Sequence, residues 1–409
     1  MRYVIIGNSA AAIGAVEGIR KIDRTGEIDM ITDEPYHTYS RPLISYFLSG
    51  KVTQDQMKYR SDDFYQTNGC TLHSNASAAA VQKAEKCVTL KSGMQIPYDK
   101  LLVATGSSAF VPPFEGIRNV ANKHTFMSMD DALDVQAVLG GAKHVLIIGA
   151  GLIGLKCAEG IADKVSNISV VDLAPGILSS ILDTDSAKRV QTHMESKGIT
   201  FYLSCGIQRF DGNTAITADG REIPFDILIM AVGVRPNTSL LEGLARIEKG
   251  IVVNAKSETS APDIYAAGDC TQTLDMSSGQ NRLMAILPNA YMQGECAGIN
   301  MAGGEKVFDT AIPMNAIGFF GLHIMTAGHY SGDMVRMNDE KNDKRFFFSD
   351  NRLNGYILIG QVEKAGIYTS LLRERTPLDT IDFALVCEQP GLVAFTKEDR
   401  SLKLGGSLG

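Results

Sequence analysis

The stretch His144-Val145-Leu146-Ile147-Ile148-Gly149-Ala150-Gly151-Leu152-Ile153-Gly154 decides how this chain is read. An unbroken apolar run closed by glycine predicts a strand buried on both faces. The apolar residues after the glycines predict a helix. Between them the G-x-G-x-x-G pattern is intact. Gly149 makes the tight turn, Gly151 lets a pyrophosphate reach backbone N–H groups at the helix start, and Gly154 permits close packing of helix on strand. Ile153 sits within the same dinucleotide-binding turn. Asp172 ends the next apolar strand (Ile168 to Val171), 21 residues after Gly151 (172 − 151). A carboxylate there binds the adenosine 2′-hydroxyl and repels a 2′-phosphate. Leu173-Ala174-Pro175-Gly176 offers no cation to hold that phosphate, so NADH is expected over NADPH.

The same grammar stands earlier in the chain. Arg2-Tyr3-Val4-Ile5-Ile6-Gly7-Asn8-Ser9-Ala10-Ala11-Ala12 is again strand, small-residue turn and helix start, its first glycine 142 positions before Gly149 (149 − 7). Here the motif is degraded to Gly7-x-Ser9-x-x-Ala12. Glu34, expected to end the second strand (Ile28 to Thr32), can accept both ribose hydroxyls of an adenosine. Tyr39-Ser40-Arg41-Pro42 follows, and its guanidinium suits a pyrophosphate or a flavin. A second repeat supports the first. Residues 93–106, ending Leu101-Leu102-Val103-Ala104-Thr105-Gly106, align without a gap on 220–233, ending Leu228-Ile229-Met230-Ala231-Val232-Gly233, at an offset of 127 (233 − 106). Two copies of one nucleotide-binding architecture explain both repeats.

Composition bounds the rest. Of the 409 residues, 44% are hydrophobic and 21% charged, which excludes a disordered chain and allows about three domains. A net charge of −7 argues against nucleic acid and anionic membrane as main partners. The longest apolar run, Val145 to Leu155, is too short to span a bilayer, and Met1-Arg2-Tyr3 leads straight into a strand, so no signal peptide is expected. The seven cysteines are scattered, with no CxxC or CxxxxC spacing. That excludes a local redox disulfide, a zinc knuckle and a ferredoxin-type cluster run, and fits buried free thiols in a reducing cytoplasm. No metal site is expected.

After Gly233, Val234-Arg235-Pro236-Asn237 reads as a turn, followed by an extended segment, the strand of Ile264-Tyr265-Ala266-Ala267-Gly268-Asp269 and a helix from about Ala290 to Met301. From about Glu305 the pattern changes. Phe346-Phe347-Phe348, Tyr356 to Gly360 and the apolar run near Gly366 suggest short strands, then a helix from Tyr368 to Arg375. The phenylalanines of this region and Phe319-Phe320 are expected mainly as core, with a docking patch as the other reading. Gly405 to Gly409 is expected to be a frayed tail. The fold class is therefore α/β: two Rossmann-like dinucleotide-binding domains plus a C-terminal α+β domain.

The set as a whole resembles the FAD-dependent pyridine nucleotide-disulfide oxidoreductases, in the branch without a redox disulfide: NADH:rubredoxin and ferredoxin reductases and the flavin part of NADH-dependent nitrite reductases. It is carried over residues 1–304 by Gly7-Asn8-Ser9, Glu34, Tyr39 to Pro42, Ala104-Thr105-Gly106, the 149–154 motif, Gly233 to Asn237 and Ala267-Gly268-Asp269. The resemblance implies an FAD domain of residues 1–108 and 255–304, an NAD domain of 109–254 and an interface domain of 305–409. It implies that Gly7, Asn8, Ser9, Ala10, Ala11, Glu34, Arg41, Pro42, Ala104, Thr105, Gly106, Gly268, Asp269 and Pro288 hold FAD. Gly149, Gly151, Ile153, Gly154, Asp172 and Gly233 would hold NAD.

Family members usually carry a glutamate two residues after the last glycine of the NAD motif, near the nicotinamide; this chain has Lys156. Glu159, one turn further on, either substitutes for it or pairs with Lys156. The disulfide-reducing members carry a cysteine pair beside the flavin, and Arg41 to Phe47 has none. The activity implied is a hydride passed from NADH to flavin N5, with no catalytic side chain required, and electrons passed on to an external iron–sulfur carrier or subunit. A stand-alone reductase and a flavin subunit of a larger complex both satisfy the resemblance, and the third domain would meet that partner or another copy of the chain. A small-acceptor reductase (oxygen, peroxide or nitrite) and a non-catalytic dinucleotide-binding redox module are the alternatives.

Overall fold

The computed structural model describes residues 1–392 together with Phe395, Thr396, Glu398, Arg400 and Ser401. The expected tail, 405–409, lies outside the described residues. In chain order the helices are Ala10–Ile22 (α1), Ile44–Leu48 (α2), Phe64–Thr67 (α3), Met129–Val138 (α4), Leu152–Ile161 (α5), Thr184–Glu195 (α6), Leu287–Met301 (α7), Gly366–Glu374 (α8) and Phe383–Glu388 (α9). The chain forms two compact units. One comprises residues 1–180, 187–274 and 281–309; the other takes 181–186, 275–280 and the chain from Thr310 onward.

The first unit holds two five-stranded parallel sheets. One runs Ile264–Ala266, Lys100–Val103, Arg2–Ile6, Glu27–Ile31, Cys70–His73. The other runs Ile199–Tyr202, Asn167–Val171, His144–Ile148, Ile227–Met230, Lys123–His124. In each, the strand feeding the glycine turn is the central one, with its sequence-next strand on one side and a later strand on the other. Chain order reverses there, so a crevice opens at the carboxyl ends of the strands. The repeat at offset 127 is also three-dimensional. Gln95–Pro97 and Glu222–Pro224 each close a three-stranded antiparallel sheet, and each leads into the parallel strand beside the central one.

Period-two packing holds the first sheet in register. Tyr3 and Ile5 join a core with Ile13, Val16 and Ile19 of α1 and Ala297 of α7. Val4 and Ile6 face Val88, Leu90 and Ile96 of the small antiparallel sheet. A one-residue slip would exchange these two sets. Each such side chain taken fully out of water contributes roughly 1.5–3 kcal/mol.

The second unit carries a five-stranded antiparallel sheet, in the order Met314–Phe319, Leu322–Gly328, Arg352–Ile359, Asp343–Ser349, Asp333–Asn338. Helices α8 and α9 share its core, where Phe346, Tyr356, Tyr368, Leu371 and Val386 pack together. Phe319, Phe346 and Phe347 are buried, as the core reading has it.

Two expectations fail. The apolar run near Gly366 is the start of α8, because the buried residues Tyr368, Thr369, Leu371 and Leu372 follow helical spacing. Val234–Pro236 is a strand, not a turn: it pairs antiparallel with Ser107–Ala109. Proline is tolerated there because this is a two-stranded ribbon whose other edge makes no ladder.

Candidate functional site

The two glycine turns are built alike. Gly7 has φ +135° and Gly149 φ +112°, a region open to glycine. A Cβ on Gly7 would lie 2.3 Å from the Ala104 carbonyl oxygen, and one on Gly149 2.2 Å from that of Ala231. Ala104 and Ala231 are themselves related by the internal repeat. Each turn is thus pressed against the strand end that returns beside it. Gly154 packs on its own turn, where a Cβ would lie 2.0 Å from the Gly149 oxygen. Around Gly151, Gly106 and Gly233 there is open space: a Cβ at any of them would meet nothing within 4 Å.

The helix starts bear on whether an anionic group fits. Helix α1 begins after Ser9, α5 after Gly151 and α7 after Ile286. None has a side-chain cap or an acidic residue in its first turn. Pro288 stands in the first turn of α7, exposed. Side-chain caps do occur in this chain, as a Ser128–Asp131 capping box on α4 and a single Asp382 bond on α9, while α2, α3 and α8 also have none. Uncapped N–H groups at the positive end of a helix suit a phosphate or an electron-rich ring. The residues present fit the FAD and NAD phosphates on this ground.

The carboxylates stand at matching places. The first sheet's second strand ends at Ile31, earlier than expected, and Glu34 follows in the loop. Its Oε1 accepts from Tyr39 Oη and from Arg41 Nη2, both at 3.1 Å. Arg41 also donates to the Met127 carbonyl at 3.3 Å. Asp172 directly follows Val171 and accepts from Ala150 N at 2.6 Å and Ala174 N at 2.7 Å. It is therefore tied to the glycine turn itself. Asp269 is held close to Ser107, whose hydroxyl donates at 3.4 Å. Burial pushes its carboxyl above the usual value; the Ser107 bond and the Arg41 charge offset this in part.

Asn8 is committed to the protein: its amide donates to the Tyr36 carbonyl at 3.3 Å and accepts from Tyr65 Oη at 2.8 Å. Ala10 and Ala11 are buried in the first turn of α1, and Ile153 is half-buried in that of α5. Gly268 lies between the starts of α1 and α7, where a Cβ would be 3.0 Å from Ala11 Cβ and 3.6 Å from Ala290 Cβ. Thr105 Oγ1 donates to the Asn237 carbonyl at 2.7 Å, and Asn237 Nδ2 returns a bond to the Thr105 carbonyl at 2.9 Å.

Lys156 and Glu159 form an ion pair with each other, their side chains 17% and 11% exposed. The Lys156 ammonium also lies 4.5 Å from the centre of the Tyr46 ring. Pro42, exposed, stands in the turn that leads into α2. No two thiols are bridged. All seven cysteines are free, and six are buried. Burial pushes the thiols of Cys70 and Cys270 up to about 11.

Three side chains beside these groups were given no role of their own in the sequence reading, although Tyr39 stands within the Tyr39–Pro42 motif. Tyr46 gives no local signal. Tyr39 is the bridge between Glu34 and the start of α4, where its hydroxyl accepts from Met129 N at 3.0 Å. Gln293 is a buried amide that accepts from Gly268 N at 2.8 Å and Thr271 Oγ1 at 3.0 Å. A polar residue among the small residues of α7 was its only trace.

The family described as pyridine nucleotide-disulphide oxidoreductase matches residues 1–294. The epsilon subunit of NADH-dependent phenylglyoxylate dehydrogenase from Aromatoleum evansii is 30% identical over 392 residues, 92% of each chain. The assimilatory nitrate reductase electron transfer subunit of Bacillus subtilis is 30% identical over 391 residues, and this chain spans 49% of its length against 91% of its own. An NADH oxidase of Methanocaldococcus jannaschii is 34% identical over 322 residues, 75% of this chain and 71% of that one. Among solved structures, NADH:rubredoxin oxidoreductase from Clostridium acetobutylicum superposes with a TM-score of 0.74 at 25% identity, covering 93% of this chain and 97% of that one.

Proposed function

The chain belongs to the pyridine nucleotide-disulphide oxidoreductase family, and from that premise we propose that it passes electrons from NADH, by way of bound FAD, to an external iron–sulfur carrier or partner subunit. It is an oxidoreductase that works with FAD and NAD(H). The observation that carries the reading is the pair of like-built glycine turns. Each feeds an uncapped helix start, and each has a carboxylate beyond the neighbouring strand.

The flavin, when bound, exchanges a hydride with a nicotinamide and releases electrons one at a time. The chain's own residues position the partners. Residues 1–108 and 255–304 hold FAD: Gly7, Ser9, Ala10 and Ala11 present backbone N–H groups to its pyrophosphate, and Glu34, fixed by Tyr39 and Arg41, takes its adenosine ribose. Asn8 orients this turn through Tyr36 and Tyr65. Ala104, Thr105, Gly106, Gly268 and Asp269 line its other side, with Pro288 at the ring end. Residues 109–254 hold NADH through Gly149, Gly151, Ile153, Gly154, Asp172 and Gly233. The remaining chain is the partner or oligomer surface.

An external acceptor is supported by the thiols, all free and six of the seven buried, with none in Arg41–Phe47. The similarity to a dehydrogenase subunit and to an electron transfer subunit supports a place inside a larger complex. No helix among the described residues is long and apolar enough to cross a membrane. That and the free thiols support a cytoplasmic site. The similarity to an NADH oxidase favours oxygen as the second candidate acceptor.

The test is anaerobic. The FAD-loaded protein should be bleached by NADH and recoloured by oxidised rubredoxin or ferredoxin faster than by air. A protein that keeps no FAD, or that air reoxidises as fast as any carrier does, refutes the reading.

A further inference from the structure

We infer that Lys156, held between Glu159 and the Tyr46 ring, is a positioning cation at the junction where nicotinamide meets flavin, and that its charge sets how readily the bound flavin is reduced. This rests on the function proposed above. Hydride transfer requires two rings in contact, so the reacting ends of the two nucleotides must meet where the two dinucleotide folds meet. In this chain α2 and α5 build that junction. A Cβ on Gly160 of α5 would stand 2.9 Å from the Ser45 carbonyl oxygen of α2, and the Lys164 ammonium donates to the Leu48 carbonyl. Lys156 is the first charged side chain of α5 after the glycine turn, and it reaches the Tyr46 ring on α2.

The pair is costly to keep. Its side chains are 17% and 11% exposed. Apolar residues of similar volume commonly stabilise a fold as well as a buried ion pair does. Packing therefore does not account for it; a need for charge at this place does. Glu159 fixes the ammonium from one side and the electron-rich face of Tyr46 from another, so Lys156 cannot swing to solvent without losing both. A fixed positive charge in a partly desolvated cleft favours the state that carries more negative charge nearby, with no reorganisation needed. The reduced flavin is that state. Glu159 opposes it, so the two residues have opposite signs of effect, which no purely structural role would produce.

The experiment uses the FAD-loaded protein under anoxia, equilibrated at fixed NADH/NAD⁺ ratios, with the reduced fraction read from flavin absorbance. Lys156→Gln should lower the reduced-to-oxidised ratio on the order of tenfold, Lys156→Arg should restore it to within about twofold, and Glu159→Gln should raise it. Should Lys156→Gln lose its FAD, the sign of the Glu159→Gln shift decides the matter alone. A Lys156→Gln holoprotein with the wild-type ratio, or a Glu159→Gln shift in the downward direction, overturns the inference. A wild-type protein that NADH cannot bleach would instead sink the proposed function, and is seen before any variant is compared.

Discussion

Replacing Gly294 by alanine should unfasten the helix pair that carries two of the uncapped helix starts. A Cβ at Gly294 would lie 1.9 Å from the Ala11 carbonyl oxygen and 2.7 Å from its carbon, against 3.4–4 Å for ordinary contact. The helices would have to part by about 1.5 Å at that point. Elsewhere along the pair the fit is equally close: Gly298 against the Ala15 oxygen (2.1 Å), Gly14 against that of Tyr291 (2.3 Å) and Gly18 against that of Glu295 (2.4 Å). Relief at one position therefore opens gaps at the others. Overpacking of this kind costs about 1–3 kcal/mol and sometimes more. With a melting shift of about 2–4 °C per kcal/mol at this domain size, Gly294→Ala should lower the melting temperature by roughly 2–12 °C. It should also weaken FAD retention, because Gly268 is lodged between the starts of the same two helices. The assay is a thermal melt of the FAD-loaded protein followed by ultrafiltration to measure released flavin. Gly140→Ala is the control, since a Cβ there meets nothing within 4 Å and the residue is exposed. Equal melts for Gly294→Ala and Gly140→Ala would refute the close packing and the site built on it.

Asp172→Ala should lower kcat/KM for NADH about 10- to 100-fold while changing that for NADPH far less, because it removes a charged hydrogen-bonding group from the ribose position; an unchanged NADH/NADPH ratio would remove Asp172 from that role. Thiol titration of the denatured protein should give seven groups whether or not reductant was applied first; a count that rises by two after reduction would reveal a bridge and overturn the external-acceptor reading. In the second unit, Asp343 is 2% exposed and takes paired hydrogen bonds from Arg345 and Arg336. Burial works against its charge, but the two arginines outweigh that and hold the carboxyl below its ordinary value. The stabilisation this gives is present above the unfolded value of about 4 and is lost as pH falls through the lower folded one. Arg345→Met should destabilise the unit by about 1–3 kcal/mol at neutral pH, because the buried carboxylate then keeps only Arg336, with the loss shrinking in acid; a variant equally destabilised at all pH values would point to packing instead.

The parallel sheets were legible because their central strands are apolar runs that end in glycine, and because the chain states the pattern twice. The offset of 127 even marks the contact that secures each turn, Gly7 on Ala104 and Gly149 on Ala231. What could not be read is what depends on pairing at a distance. Val234-Arg235-Pro236 looks like a turn by residue type and becomes a strand only because Ser107–Ala109 is there to pair with it. The helix expected over Tyr368–Arg375 is α8, but it starts two residues earlier, at Gly366, where a short apolar run reads equally as a strand. The α1–α7 seam was written in plain sight, as Gly14 and Gly18 on one helix and Gly294 and Gly298 on the other. Yet glycines four apart carry meaning only when two helices are known to meet. Tyr46 belongs to the same class: nothing in its neighbours says that a lysine from another fold will rest on its ring.

These close approaches and the uncapped helix starts have one physical logic. A capping side chain would have satisfied the first N–H groups of α1, α5 and α7 at a gain of about 1 kcal/mol each, and the chain shows at α4 that it can build one. Helices α2, α3 and α8 are bare as well, so a missing cap marks a site only beside a glycine turn or a close helix seam; there, a bare start leaves that stabilisation to whatever anion or electron-rich ring arrives. The glycine seam serves the same end, since two helices in backbone contact cannot tilt to shield their ends. On this view the protein's rigidity and its incompleteness are one property: the strands and helices are packed tightly enough that the bare N–H groups stay aimed into the crevice until a cofactor takes the place of the missing caps.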